Sequence, residues 1–213
     1  MSQKKSKEST EQKAGKLSGR RVAMLATDGF EQSELLEPKK ALEDAGAEVV
    51  IVSLTKKDIR AWNNGDWGKA IAVDVTVDEA NHEDYIGLVL PGGVMNPDKL
   101  RMDEKAMEFV SEFANNGKPI AAICHGPWSL VETNILEDRT VTSWPSLKTD
   151  LINAGARWID HDVVVDRGLV TSRKPADLPA FNQKMIEEFI EGRHTGKDRG
   201  LRRSISAAST ELH

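Results

Sequence analysis

A chain of 213 residues with 39% hydrophobic residues can bury a sizeable core, and a formal net charge of -5 argues against a general nucleic-acid binder, which presents a basic face. The single cysteine, Cys124, excludes an intramolecular disulfide. No apolar run approaches the roughly 18 residues of a membrane span, so neither membrane nor nucleic acid is an expected partner and a reducing cytoplasm is the expected compartment.

Residues 1–20, "MSQKKSKESTEQKAGKLSGR", are polar and lack the ~7 to 15 residue apolar core of a signal peptide, and they read as a disordered tail. Residues 193–213 are locally basic and read as a flexible C-terminal tail. Between them, residues 21–192 show no internal repeat or low-complexity linker, which implies one domain. "RVAML" is a continuous apolar strand, and Leu35, Pro38, Ala41, Leu42 and Ala45 then recur at helical spacing until "DAG". "EVVIVSL" and "IGLVLPGG" supply further strands, and Ala106, Phe109, Val110 and Phe113 mark one face of a helix ending at "NNG". "PIAAIC" is the next strand, "WSLVET" opens a helix, "VTSW", "VVVD" and "LVTSR" are short strands, and "ADLPAFNQKMIEEFIEG" is a closing helix. Apolar strands alternating with helices predict an α/β fold, a mainly parallel sheet with helices on both faces, whose sites form beyond the carboxyl ends of the strands.

Three loops after predicted strands carry chemistry at that edge: "DGFEQSE", "PGGVMNPD" and "CHGPW". By residue type alone a lone cysteine is more often an inert buried filler. In "AAICHGPW", however, the strand stops at Cys124, and Gly126 with Pro127 starts a helix, so the thiol sits at a helix entrance. That is the strand, nucleophile, helix geometry of an elbow, where the helix dipole and free N–H groups are expected to lower the thiol pKa from its usual ~8.5.

His125 reaches the sulfur only by folding back over the turn. If it does so, it can serve as general base and then acid; otherwise it packs at the turn. The N–H groups of His125 and Gly93 are candidate oxyanion donors, because the glycines of "PGG", Gly92 and Gly93, let backbone approach a substrate. Glu31, Glu34 and Glu37 share one face at a helix start, where acids also simply complement the dipole. A carboxyl facing a thiolate in a dry cleft would instead hold a proton and donate it in a hydrogen bond to sulfur. Trp128, beside the cysteine, is a candidate pocket wall, whereas Trp62, Trp67, Trp144 and Trp158 read as packing residues. Arg173 and Asp177 either border the site or form an ion pair or helix cap. His82, His161, His194 and His213 lack zinc-site spacing, and neither metal nor cofactor is expected.

Taken in order, "DGFEQSEL", "LVLPGG", "GKPIAAICHGP", "TSWPSLKTDLINAGA" and "LVTSRKPADLPAF" resemble the ThiJ/PfpI family of the class I glutamine amidotransferase-like superfamily from about Arg21 to Gly192. The resemblance implies a flavodoxin-like three-layer sandwich and a homodimer or larger assembly of dimers. It implies Cys124 as nucleophile, His125 as its partner, Glu34 as the acid at the sulfur and Glu31 one turn away. It also implies, in the protease-like members, an acid reaching the histidine from a neighbouring subunit; the matching position here is Asp98. The loop around Asp98 is one residue longer than in the archetypal protease and carries aspartate in place of glutamate, so Asp98 either completes the triad, caps the next helix or faces solvent. "TSRKPADLPAF" contains no histidine, which argues against amidotransfer from glutamine. The expected function is a cytoplasmic, stress-response, cysteine-dependent hydrolase of the PfpI type acting on a peptide or small carbonyl compound. Glyoxalase or deglycase chemistry on methylglyoxal or glycated groups is the first alternative, and a redox sensor or chaperone built on Cys124 oxidation the second.

Overall fold

Each uninterrupted apolar run needs cover on both faces, which a central sheet between helix layers provides. In a computed structural model describing residues 15–194, β1 (Arg21–Leu25), α1 (Gln32–Asp44) and β2 (Glu48–Ser53) lead into a hairpin of β3 (Ile59–Asn63) and β4 (Asp66–Ile71). There follow β5 (Val75–Thr76), β6 (Leu88–Leu90), α2 (Met95–Leu100), α3 (Glu104–Asn115) and β7 (Ile120–Ile123). A 3-10 run, Gly126–Glu132, then precedes β8 (Thr140–Val141), α4 (Lys148–Asn153), β9 (Arg157–Trp158), β10 (Val163–Asp166), β11 (Leu169–Ser172) and α5 (Leu178–Glu191).

The main sheet has the order β10-β11-β7-β6-β1-β2-β5, parallel throughout except for the β10 edge strand, antiparallel to β11. Side chains alternate between its faces. Val22, Met24, Val49, Ile51, Val89, Ala121 and Ile123 pack with Leu35 and Leu42 of α1 and Leu178, Phe181, Met185 and Phe189 of α5. Ala23, Leu25, Val50, Leu88, Leu90, Ile120 and Ala122 pack on the other face with Phe109, Val110 and Phe113 of α3. This is the expected flavodoxin-like sandwich. The chain builds outward from β1 through β2 to β5, then returns to β6 and builds the other way, so the switch in direction lies between β1 and β6, where α/β sheets open a crevice.

Four local expectations change. The β3–β4 hairpin lies outside the expected elements, although Asn64 and Gly65 at its tip, with φ of 51° and 89°, form the Asn-Gly pair that favours tight hairpin turns. "VTSW" contributes only Val141, which with the preceding Thr140 pairs with β9 in a separate two-stranded sheet rather than joining the main one. The helix expected from "WSLVET" is a 3-10 run: Trp128 N–H donates to His125 O at 2.9 Å. Thr133 turns to extended backbone and ends the run, its hydroxyl donating to Leu130 O.

The fourth change is at the ends. Residues 15–20, read as part of the N-terminal tail, form a turn in which Leu17 is fully buried and its N–H donates to Ala45 O at 2.9 Å. A fully apolar side chain at a covered position holds the segment down. His194, read as part of the C-terminal tail, donates its N–H to Gly117 O at 2.8 Å. The rest of both expected tails, residues 1–14 and 195–213, lies outside the described residues. Among the described residues, no helix is long and apolar enough to cross a membrane.

Candidate active site

Cys124 follows the last residue of β7 and adopts φ of +61°, a left-handed conformation that non-glycine residues rarely take. Its own peptide groups are held on both sides: Cys124 N–H donates to Ser172 O at 3.0 Å, and Cys124 O accepts from Trp144 N–H at 2.9 Å. Gly126 permits the tight turn, since a Cβ there would lie 2.3 Å from Leu90 O. The result is the expected elbow, with the thiol at a covered position, 7% exposed.

The chain brings two of the three loops directly to this sulfur. Glu34, in the first turn of α1, is fully buried; its Oε2 accepts the Gly92 N–H at 3.1 Å, and the carboxyl interacts with the Cys124 thiol. Burial, reinforced by the nearby Glu31 charge, pushes the Glu34 carboxyl up from its ordinary 4.5 to about 8, so at neutral pH it carries a proton. Gly92 has no room for a side chain: a Cβ would lie 2.3 Å from Glu34 Oε2 and 2.7 Å from Cys124 Cβ. Gly93, at φ of +83°, is equally confined, a Cβ there lying 2.3 Å from Gly29 O. The backbone N–H groups of Gly93 and His125 both donate toward the sulfur.

The thiol itself departs from the expected direction. Burial and the adjoining Glu34 carboxyl raise its pKa, and the two amides offset only part of this. The groups that favour the thiolate are two backbone amides, that of His125 at the N-cap of the 3-10 run and that of Gly93 from a second loop. His125 folds back over the turn: Nδ1 lies 3.4 Å from Cys124 Sγ. Burial lowers the imidazole pKa, favouring the neutral ring that can accept the thiol proton.

Other candidates fall at varying distances from this centre. Glu31 stands at the N-cap of α1, its carboxylate accepting from Ser33 Oγ at 3.2 Å and its N–H donating to Gly92 O at 3.2 Å. Asp98 lies in the first turn of α2, on its exposed side; the cap of α3 is Asp103, which accepts from Ala106 N–H. Trp128 packs toward the α3-side core beneath the Arg101 guanidinium, 4.8 Å from its ring centre. The indole that covers His125 is Trp144, stacked at 5.9 Å between centroids and 25° between planes. Arg173 takes the ion-pair alternative, bridging Asp177 and Asp160.

Two participants had no signal in the sequence. Trp144 reads in the sequence as a packing residue, because its approach to His125 arises only when the segment after β8 crosses the elbow. Asn96 is fully buried in α2 and joins the first two loops through its side-chain amide. Among the described residues, the one group with metal-ligand atoms within 4.8 Å of one another is Glu188, Glu191 and His194. It sits at the end of α5 against Gly117 and Gly168, which precede β7 and β11, on the sheet edge opposite Cys124.

A buried thiol at a left-handed elbow, beside an imidazole, a protonated carboxyl and two convergent amides, is an arrangement with which an α/β protein can carry out nucleophilic chemistry on a carbonyl. A family model described as the DJ-1/PfpI family matches residues 20–188, and the chain belongs to that family. It is 41% identical over 167 residues to the deglycase PH1704 of Pyrococcus horikoshii, covering 78% of this chain and 98% of that one. It is 40% identical over 168 residues to YraA of Bacillus subtilis, provisionally named a cysteine protease, covering 78% and 96%. General stress protein 18 of Bacillus subtilis is 40% identical over 171 residues, covering 79% and 96%. Among solved structures, Drosophila melanogaster DJ-1beta superposes with a TM-score of 0.73 at 24% identity over 87% of this chain and 97% of that chain, a likeness of fold.

Proposed function

We propose that the protein is a cysteine-dependent hydrolase of the PfpI type, acting on a peptide or small carbonyl compound in the cytoplasm. The observation that carries the reading is the 3.4 Å approach of His125 Nδ1 to Cys124 Sγ across a left-handed elbow. In this reading the thiol proton passes to His125 as sulfur attacks the carbonyl carbon. A C–S bond forms, and the carbonyl π electrons move to oxygen beside the N–H groups of Gly93 and His125. The protonated imidazole then gives its proton to the leaving nitrogen, and the C–N bond breaks to leave a thioester. Water, losing a proton to His125, attacks the thioester; the C–S bond breaks and the thiol is restored. Protonated Glu34 stays neutral beside the sulfur and gives it a hydrogen bond while it carries charge.

Deglycase or glyoxalase chemistry is the second reading, favoured by relatives named deglycase at 40–41% identity. It begins with the same nucleophile, sulfur adding to an aldehyde carbon to give a hemithioacetal. The name of General stress protein 18 supports a role in stress response. The exposed position of Asp98 supports a homodimer or assembly of dimers in which that acid meets the neighbouring His125. Turnover of peptides and of methylglyoxal is to be measured in parallel for wild type and Cys124→Ser. The hydrolase reading expects peptide turnover that vanishes with the thiol; turnover of methylglyoxal alone would transfer the assignment to the second reading. Absence of thiol-dependent turnover on both would overturn the two together.

A further inference from the structure

The trans peptide group joins a carbonyl and the following N–H in one plane, pointing in opposite directions. Two consecutive planes, Pro91–Gly92 and Gly92–Gly93, cross the candidate site. The N–H end of the first reaches Glu34 Oε2 at 3.1 Å, and the N–H end of the second points to the Cys124 sulfur. Their carbonyl ends converge on a single side chain: Asn96 Nδ2 donates to Pro91 O at 2.9 Å and to Gly92 O at 3.3 Å. Its other atom, Oδ1, accepts the Thr27 N–H at 2.8 Å, which ties the arrangement to the loop after β1. Asn96 is fully buried, so its amide has no water to fall back on.

We infer that Asn96 is a positioning residue which, by holding two successive carbonyls with one NH2 group, turns the opposite N–H groups of Gly92 and Gly93 toward Glu34 and Cys124. The inference deepens the reading of Cys124 as nucleophile and rests on it for its catalytic consequence. Glycine at 92 and 93 makes such a device necessary. With no side chains to fix them, these peptide planes can rotate, and a flipped plane would present a carbonyl oxygen to the sulfur where a donor is needed. Glu31 N–H assists at the Gly92 carbonyl, at 3.2 Å, but the Pro91 carbonyl is held by Asn96. The pattern calls for an amide specifically: an aspartate keeps the acceptor for Thr27 and loses both donors, and a serine cannot span the three groups.

Cys124 is the only cysteine, so its alkylation by iodoacetamide, followed by intact mass across a pH series, reads the site without any substrate. Asn96→Asp and Asn96→Ser are expected to move the alkylation profile upward by about one pH unit and to slow the reaction at neutral pH about tenfold. Folded variants with the wild-type profile, or a uniform slowing with an unmoved pH dependence, would overturn the inference. If neither variant folds, the wild type decides by nuclear magnetic resonance. The Gly92 and Gly93 amide signals should titrate with the Glu34–Cys124 pair while the Asn96 side-chain amide stays slowly exchanging and constant. Gly92 and Gly93 signals that ignore that titration would refute it. A wild type that turns over neither substrate yet shows the shifted profile in its variants would sink the hydrolase and deglycase readings and leave the positioning role standing.

Discussion

Glu34 and Cys124 meet where neither is well solvated: the carboxyl is fully buried and the thiol nearly so, burial raises both pKa values, and Glu34 raises the thiol's further while the thiol's hydrogen bond offsets part of the rise at Glu34. Two negative charges cannot coexist there, so the pair holds a proton that an exposed pair would release. The carboxyl therefore binds a proton in the folded chain up to about pH 8, whereas the unfolded chain releases it near 4.5. Folding stability must fall as pH rises through that interval, because the folded state binds more protons there. The interval corresponds to roughly 5 kcal/mol at its upper end, as an order of magnitude. Glu34→Gln, which copies the protonated shape, should be more stable than wild type at pH 8 by a few kcal/mol and nearly equal to it at pH 4.5. Urea denaturation at the two pH values tests this, and a pH-independent difference would contradict it.

The conformation of Cys124 gives a second expectation. Serine matches its size and branching, but a β-branched valine at φ of +61° collides with its own backbone. Cys124→Ser should change stability little. Cys124→Val, a mild exchange at an ordinary buried site, should cost about 2 kcal/mol. Equal melting curves for the two variants would mean that the elbow is not strained.

Asp98 supplies a third. If it acts across subunits, Cys124→Ser and Asp98→Ala chains, each inactive alone, should recover partial activity when mixed in one assembly. No recovery, with subunit exchange shown independently by mass, would place the complete site within a single chain.

Much of this architecture is legible in the amino-acid pattern, and the gaps have physical causes. Val22–Leu25, Val49–Val52 and Ile120–Ile123 announce themselves because a strand covered on both faces is apolar at every position. The resemblance pointed to Cys124, His125 and Glu34, and the chain brings them together. Leu17 carries no signal because one apolar residue among polar neighbours has no period. The 3-10 run reads as a helix in the sequence because Pro127 suits the start of either, and the difference lies in how Cys124 and Thr133 bend the ends. Asn96 carries no signal for another reason: nothing local distinguishes an exposed asparagine from one that ties two neighbouring carbonyls to a backbone N–H far away in the sequence.

The backbone of Cys124 is fastened to Ser172 on one side and to Trp144 on the other, and this settles when the orientation of the sulfur is decided. It is decided as the chain folds. Little motional freedom of the nucleophile remains to be lost when a substrate arrives, so the entropy of reaching the transition state falls chiefly on the substrate. A compact, stiff aldehyde loses little on binding, whereas a peptide must be held along its length, and only a chain with contacts beyond the elbow can do that. The choice between the two substrates is thus a question about the surroundings of the sulfur more than about the sulfur.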